Sequence, residues 1–484
     1  MKAGAWALCL AAAALGAAAA SPDEEARDLM RAAQGDLASG RNPDAVQKLE
    51  RALALRPAEP LAAEVQASLG SAYLASGRAA EAERTLAAAI ERARKSNRQP
   101  TLAAALIDLG NLRAAQGRYA EAQNRYRDAM DAAAENKALA TRASTNLARA
   151  LIDDGRPGEA IGILPKVAAE LRTLPASRDK AYGLVSVGRL YGRLGDGARS
   201  AAVLRDSLDA ADAANDARAR SAALGYLGEL YERGGRSAEA LQLTQRAIVA
   251  AAEADAPELL YRWQWDKARL LRTQGEVDEA ILAYQHAVQT FSSVRADLAA
   301  TPARGSFRES VGPLFAELAD LLLQQSGRLS DAKVAASYLV AARTSMELFK
   351  GAELQDYFQD DCVAALRART TGIDQLAPQT AALYPIILKD RLELLLTLPD
   401  GMKRFTTRVN ADTLTREIRI FRLLLEKRTT HEYYPHARQL YDWIIRPIAA
   451  ELEKQRIDTL VIVPDGALRT VPLAALHDGE QFLV

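Results

Sequence analysis

A glycine recurs through nearly half of this chain at almost constant spacing. Gly40, Gly77, Gly117, Gly155, Gly195, Gly235 and Gly275 are separated by 37, 40, 38, 40, 40 and 40 residues. Each sits in a similar stretch: SGRNPDA, SGRAAEA, QGRYAEA, DGRPGEA, LGDGARS, GGRSAEA and QGEVDEA. A fixed period of this length means one small unit repeated, each copy burying its apolar face against the next. The unit reads as helix, turn, helix, because glycine ends a helix in a left-handed conformation that strains other residues. Five residues after each glycine comes a small residue: Ala45, Ala82, Ala122, Ala160, Ser200, Ala240 and Ala280. It marks where the second helix passes closest to the first. Seven residues before the turn, Gly70, Gly110, Gly188 and Gly228 do the same on first helices, with Ala148 and Ala268 in two other copies. Larger residues fill the space between, namely Tyr73, Tyr191 and Tyr231 on first helices and Tyr126, Leu164, Leu204 and Tyr284 on second ones.

These small, large and small positions resemble the tetratricopeptide repeat in its longer variant, over about residues 27 to 290. An eighth copy is expected at SGRLSDA, Gly327 to Ala332, after the Pro- and Gly-marked stretch TPARGSFRESVGP. The resemblance implies a superhelix whose concave face, lined by first helices, holds a peptide or protein segment. One position past each small first-helix residue, the inner wall would carry Ser71, Asn111, Arg149, Arg189, Glu229 and Arg269, with Arg193 and Arg272 one turn further on. A mildly basic stripe of this kind favours an acidic partner. The same arginines are equally accounted for as solvated, or as paired with local carboxylates. The clamp by which some members grip a C-terminal carboxylate needs a lysine where Ile107 stands, so none is expected.

Charge and cysteine content narrow the function classes. The 62 basic and 62 acidic residues balance and no basic block stands out, so the electrostatic footprint of a nucleic-acid binder is missing. The N-terminus has Lys2, an apolar core from about Ala5 to Ala20, and Ala18-Ala19-Ala20 before Ser21. This reads as an export signal cut near residue 20; as a membrane anchor it would be short and Ala-rich. After such a cut Cys362 is the only thiol, which allows neither an intrachain disulfide nor a cysteine zinc site. No cofactor or metal is expected.

The text changes after about Ala342. ARTSMELFKGAELQDYFQDDCVA reads as a helix leaving the array. Pro399-Asp400-Gly401 turns a hairpin within Leu383 to Asn410, and Leu392, Leu394 and Leu396 mark a buried face. Two helices follow, LTREIRIFRLLLEK and YPHARQLYDWIIRPIAAELEKQ. Leu460-Val461-Ile462-Val463 has no polar face and reads as a strand buried on both sides, turned by Pro464-Asp465-Gly466. DTLVIVPDGALRTVPLAALHDGEQFLV resembles the entry to the CHAT domain, a caspase-like module. AELQDYFQDDC, ARQLYDWIIRPI and ARGSFRESV resemble segments that precede it, so the likeness runs over about Thr301 to Val484.

Peptidases of that family use a His before a Gly and a Cys after an Ala, and neither dipeptide occurs here. Cys362 follows Asp360-Asp361, whose charges oppose thiolate formation. His431 and His436 are five apart, with Pro435 between them, which is poor metal-ligand spacing. His286 and His477 read as a surface and a turn residue. No catalytic residue is assigned.

The expected fold is therefore an all-α superhelical solenoid followed by a partial α/β caspase-like domain. Its parts would be a signal peptide (1–20), about eight helix pairs (21–345), a linker helix region (346–380) and the N-terminal part of a CHAT domain (381–484). The last strand, short of neighbours, is expected to be poorly anchored. The expected function is an exported protein-interaction scaffold without catalysis of its own. The alternative is a fragment of a cysteine peptidase whose His-Cys pair lies beyond residue 484.

Overall fold

The structure, a computed structural model, describes residues 21–133, 135–299, 307–358, 377, 379–427 and 430–483, the side chains of 295–299 and 358 excepted. The expected leader, residues 301–306, and Cys362 with Asp360 and Asp361 lie outside that description. The chain divides into two compact units between Tyr226 and Leu227.

The first unit is a run of antiparallel helix pairs. They are α1 (Pro22–Ala38) with α2 (Asn42–Ala54), α3 (Leu61–Ala75) with α4 (Ala79–Lys95), and α5 (Gln99–Ala115) with α6 (Tyr119–Ala132). Then come α7 (Lys137–Asp153) with α8 (Pro157–Thr173), α9 (Arg178–Arg193) with α10 (Gly197–Ala213), and the start of α11 (Ala217–Arg233). The second unit continues with α12 (Ser237–Glu253), and α13 (Pro257–Gln274) paired to α14 (Val277–Ala299). It adds the short α15 (Phe307–Ser310), then α16 (Gly312–Ser326) packed on α17 (Ala332–Phe358).

The seven periodic glycines all have φ between +72° and +85°, the left-handed region that lets a helix stop and reverse within three residues. The eighth differs: Gly327 has φ −74°, and the chain uses a longer turn before α17. The helix expected to leave the array after Ala342 is the continuation of α17, so the expected boundary at 345 falls inside one unbroken helix.

Close approach within each pair depends on the small first-helix residues. A Cβ on Gly110 would lie 2.5 Å from the Tyr126 ring. On Gly70 it would meet Leu86 at 2.6 Å, and on Gly188 Leu204 at 2.7 Å. The large residue sixteen positions on therefore occupies the space that each glycine leaves.

The C-terminal part of the second unit is a four-stranded sheet of order β3-β2-β1-β4, where β1 is Thr380–Ile387, β2 Leu392–Leu398, β3 Gly401–Thr407 and β4 Thr459–Ile462. β2 and β3 form the expected hairpin, β1 runs antiparallel to β2, and β4 runs parallel to β1. The crossover to β4 passes through α18 (Ala411–Leu425), α19 (Tyr434–Ile444) and α20 (Arg446–Lys454). The sequence suggested a single helix over the last two. It breaks because Pro447 cannot donate to the Trp443 carbonyl, which accepts instead from the Thr407 hydroxyl at 2.8 Å.

The sheet is covered on both faces. Leu392, Leu394 and Leu396 pack with Ile418, Phe421, Leu440 and Ile448 of the crossover helices. Tyr384, Ile386 and Leu395 point the other way, into the cluster formed by α14, α16 and α17. β4 is the exception to the expectation of two-sided burial: it lies at the sheet edge, and Val461 is 40% exposed. It is nonetheless anchored, since β1 supplies the neighbour thought to be missing.

On the helix-covered face of β2 sits Glu393, 0% exposed. It accepts from Arg391 Nε at 2.5 Å, Arg404 NH2 at 2.7 Å and Thr406 Oγ1 at 2.8 Å. Arg391 also donates to Asp320 at 2.6 Å, and Arg404 to the Leu323 carbonyl at 2.6 Å, both on α16. Burial alone would raise the Glu393 pKa, but hydrogen bonds from Arg404, Arg391 and Thr406 outweigh it and hold it below the ordinary value.

Two predictions follow from this packing. Gly110→Ala should destabilise the chain by about 1–3 kcal/mol through overpacking against Tyr126. Gly162→Ala, in α8 with open space around it, should stabilise by up to about 1 kcal/mol; urea melts of both variants check the opposite signs. Glu393→Ala should cost about 3–5 kcal/mol, because it strands buried guanidinium groups. With its folded pKa depressed, Glu393 stabilises above the unfolded carboxylate value, and that contribution is lost as pH falls through the folded value. Melts of the wild type and variant across pH 3–7 should therefore converge toward the acid end.

Candidate functional site

The first helices carry a polar ladder in register with the repeat. In the first unit, Asn111 accepts from the Tyr126 hydroxyl at 2.9 Å and from Asn146 Nδ2 at 3.0 Å. Three residues before Asn111, the 8%-exposed Asp108 accepts from Arg142 NH2 at 2.9 Å and from the Ser71 hydroxyl. Arg149 donates to Asn146. Arg189 lies over the Tyr226 ring, 4.3 Å from its centroid, and Arg193 pairs with Asp153 at 2.7 Å.

In the second unit Glu229 accepts from Arg262 at 2.6 Å. Arg269 binds Glu317 at 3.1 Å and lies over the Trp265 ring, 4.1 Å from its centroid. Arg272 donates to Asp320 at 2.6 Å, on the carboxylate that Arg391 also engages. Ser71, Asn111, Arg149, Arg189, Glu229 and Arg269, named from the sequence for the inner wall, stand on α3, α5, α7, α9, α11 and α13. Their arginines are engaged within the protein, so these positions carry ion pairs and ring contacts instead of a stripe of uncompensated positive charge. Arg272 belongs to the junction between helices and sheet.

Two cavities open between neighbouring first helices. One, of about 240 Å³, lies between α7 and α9 and is lined by Thr141, Arg142, Asn146, Asp179, Tyr182 and Ser186 among others. The other, of about 450 Å³, lies between α11 and α13, where Glu229, Glu232, Tyr261, Trp265 and Asp266 meet. Sequence reasoning missed Glu232 and Asp266. The available signal was YRWQWDKA, which places two of the chain's four tryptophans and an aspartate within five residues of the small contact residue Ala268. Burial pushes the Asp266 carboxyl up to about 7.

Three of the segments that suggested a CHAT entry converge on one cluster. Arg308, from ARGSFRESV, donates to both oxygens of Glu353, from AELQDYFQDDC, at 2.7 and 2.9 Å. It also donates to Asp465, in the turn after β4, at 2.8 Å. Arg469 reaches the same Glu353 at 2.7 Å. Burial would raise the Asp465 pKa, but Arg308 outweighs it and keeps the carboxylate low. Lys350 donates to the Val463 carbonyl at 3.0 Å, and burial lowers its pKa to about 8. None of these contacts was legible residue by residue, because their partners are up to 157 positions apart.

Among the described residues of this region, the histidines have other partners. His436 bonds Glu417 at 2.6 Å, His431 stacks on Tyr434, and His477 meets Phe482 edge-on. Among the described residues no group of three or more His, Cys, Asp or Glu could hold a metal ion, and no helix is long and apolar enough to cross a membrane.

Family models agree with this division of the chain. Tetratricopeptide-repeat models match residues 61–135 and 107–172, and a CHAT-domain model matches 434–484. Among solved structures, a putative kinesin light chain with TPR-like repeats from Podosopora anserina is 18% identical, covering 49% of this chain and 100% of its own at a TM-score of 0.34. BtubC (BKLC) from P. vanneervenii is 19% identical, covering 49% and 93%, with a TM-score of 0.35. The Rap conjugation gene regulator of plasmid pLS20, solved with the Phr* peptide, is 15% identical, covering 56% and 75%, with a TM-score of 0.43. No curated protein matches the chain. The helix pairs over residues 61–172 match tetratricopeptide repeats, and residues 434–484, near the end of the chain, match a CHAT domain.

Proposed function

We propose that this protein is an exported interaction scaffold, whose repeats dock a peptide or protein segment and carry the CHAT module beside it. The observation that carries this reading is the placement of both cavities between neighbouring first helices, α7 with α9 and α11 with α13. A segment lying across the first helices of either unit would meet polar ladder groups at each step, and one recess for a side chain. An acidic segment, suggested by the arginine register, would have to share or displace the carboxylates those arginines already hold. Export rests on residues 1–20. Ser21 caps α1 through a reciprocal bond with Glu24, so a helix begins directly after the expected cut, which supports a leader separate from the folded part.

A second reading comes from the CHAT match: the module belongs to a caspase-like peptidase for which the repeats recruit or gate the substrate. An in-frame His-Gly and Ala-Cys encoded downstream of Val484 would favour it over the scaffold.

Screening the full chain against a peptide library, then following hydrogen exchange with the best binder, tests the docking reading. Protection is expected on α7, α9, α11 or α13, and protection confined to second helices would refute it. Ser186→Trp, which fills the α7/α9 cavity, should weaken a peptide docked there at least tenfold. Lys166→Trp, on the exposed side of α8, should not. Mass spectrometry of the chain expressed with its own N-terminus should find Ser21 first; an intact Met1 would remove the export reading.

A further inference from the structure

The two ladder carboxylates Asp108 and Asp266 are equivalent by position and equally buried, each 8% exposed. Each stands three residues before the inner-wall position of its first helix, Asn111 and Arg269. Their partners differ. Asp108 receives a guanidinium from the next first helix, Arg142 at 2.9 Å, as well as the Ser71 hydroxyl. Asp266 has only a 3.5 Å contact from Arg269 to one oxygen, and its Oδ2 accepts no hydrogen bond. Arg269 is committed to Glu317, and Arg262 to Glu229. Glu232, half-buried on α11 and facing the same cavity, has its pKa raised by burial. A buried acceptor without a donor is costly, and two neighbouring carboxylates out of water raise that cost.

We propose that the cavity between α11 and α13 receives the cationic side chain of a partner segment, arginine or lysine, held between Asp266 and Glu232. Arg142 at Asp108 is the precedent within this chain: the incoming cation supplies from outside what the next first helix supplies there. The Tyr261 and Trp265 rings in the lining suit an organic cation. A bare metal ion is disfavoured, since no metal-holding group of ligands occurs among the described residues. The inference deepens the docking reading by naming the side chain that one recess accepts.

The charged groups sharing this cavity with Asp266 are Glu229, Glu232 and Arg233 from α11, and Arg262 and Arg269 from its own helix. Because the Asp266 carboxyl sits near 7, it is partly protonated at neutral pH, and a bound cation should drive that proton off. The same raised pKa means that Asp266 costs stability as pH rises through 7.

The test is calorimetric titration of the full chain with the amide Gly-Ala-Arg-Ala-Gly, its lysine and citrulline counterparts, and a glutamate control. Saturable binding of the arginine peptide is expected, with lysine close behind and citrulline and glutamate at least tenfold weaker. Repeating it at pH 7 in buffers of different ionisation enthalpy should reveal net proton release. Asp266→Asn and Glu232→Gln should each weaken the arginine peptide at least tenfold, while Asp266→Asn leaves thermal stability at pH 8 equal or higher. Absent binding, equal binding of citrulline, or full affinity in Asp266→Asn would overturn the proposal. The docking reading would fail separately, through hydrogen exchange that protects only second helices. A library peptide that docks on first helices with its basic residue dispensable would sink this proposal alone.

Discussion

Glu393 is the constraint from which the C-terminal part of the molecule follows. A carboxylate with no exposure survives in a folded protein only when its lone pairs are filled and its charge is matched. Arg391 and Arg404 do both, and each also reaches α16, one to Asp320 and one to the Leu323 carbonyl. The sheet therefore cannot complete its own polar core. It needs the eighth helix pair beneath it, and that pair needs the sheet to cover Leu322, Phe315 and their neighbours. The second cluster, Arg308 with Glu353, Asp465 and Arg469, ties the turn after β4 to the same helices. Helices and sheet in this unit share a core.

Much of the repeat architecture was readable beforehand, and for a physical reason. A left-handed glycine and a small contact residue are each demanded by local geometry, so they recur as letters at fixed spacing. Gly110 against Tyr126 and Gly188 against Leu204 are examples where a letter and its partner are both periodic. The hairpin was legible for a similar reason, since Pro399-Asp400-Gly401 leaves little choice of turn.

What was not legible depends on partners set by tertiary packing. β4 looks like a central strand by composition, yet it occupies the edge, because strand order is not written in hydropathy. Glu393 reads as the polar step of an alternating strand, and only the folded chain reveals that its face is buried as fully as the other. That the arginines of the first helices pair with carboxylates was one of the two readings the sequence left open; which carboxylates was not legible, because Glu317, Asp320 and Asp153 come from other helices. Asp266 was overlooked for the converse reason: what distinguishes it from Asp108 is the absence of a donor, which leaves no trace in its own stretch of sequence.

The renewal of the turn every 37 to 40 residues has an evolutionary corollary. Because each helix pair mainly packs on its sequence neighbours, whole pairs can be gained or lost without re-aiming the rest. The row of first helices can lengthen or shorten in steps of one. The eighth pair stands outside this freedom, for it is bonded to the sheet through Asp320 and Leu323. Variation in copy number should accordingly accumulate toward the N-terminal side, leaving the pair that seats the CHAT module in place.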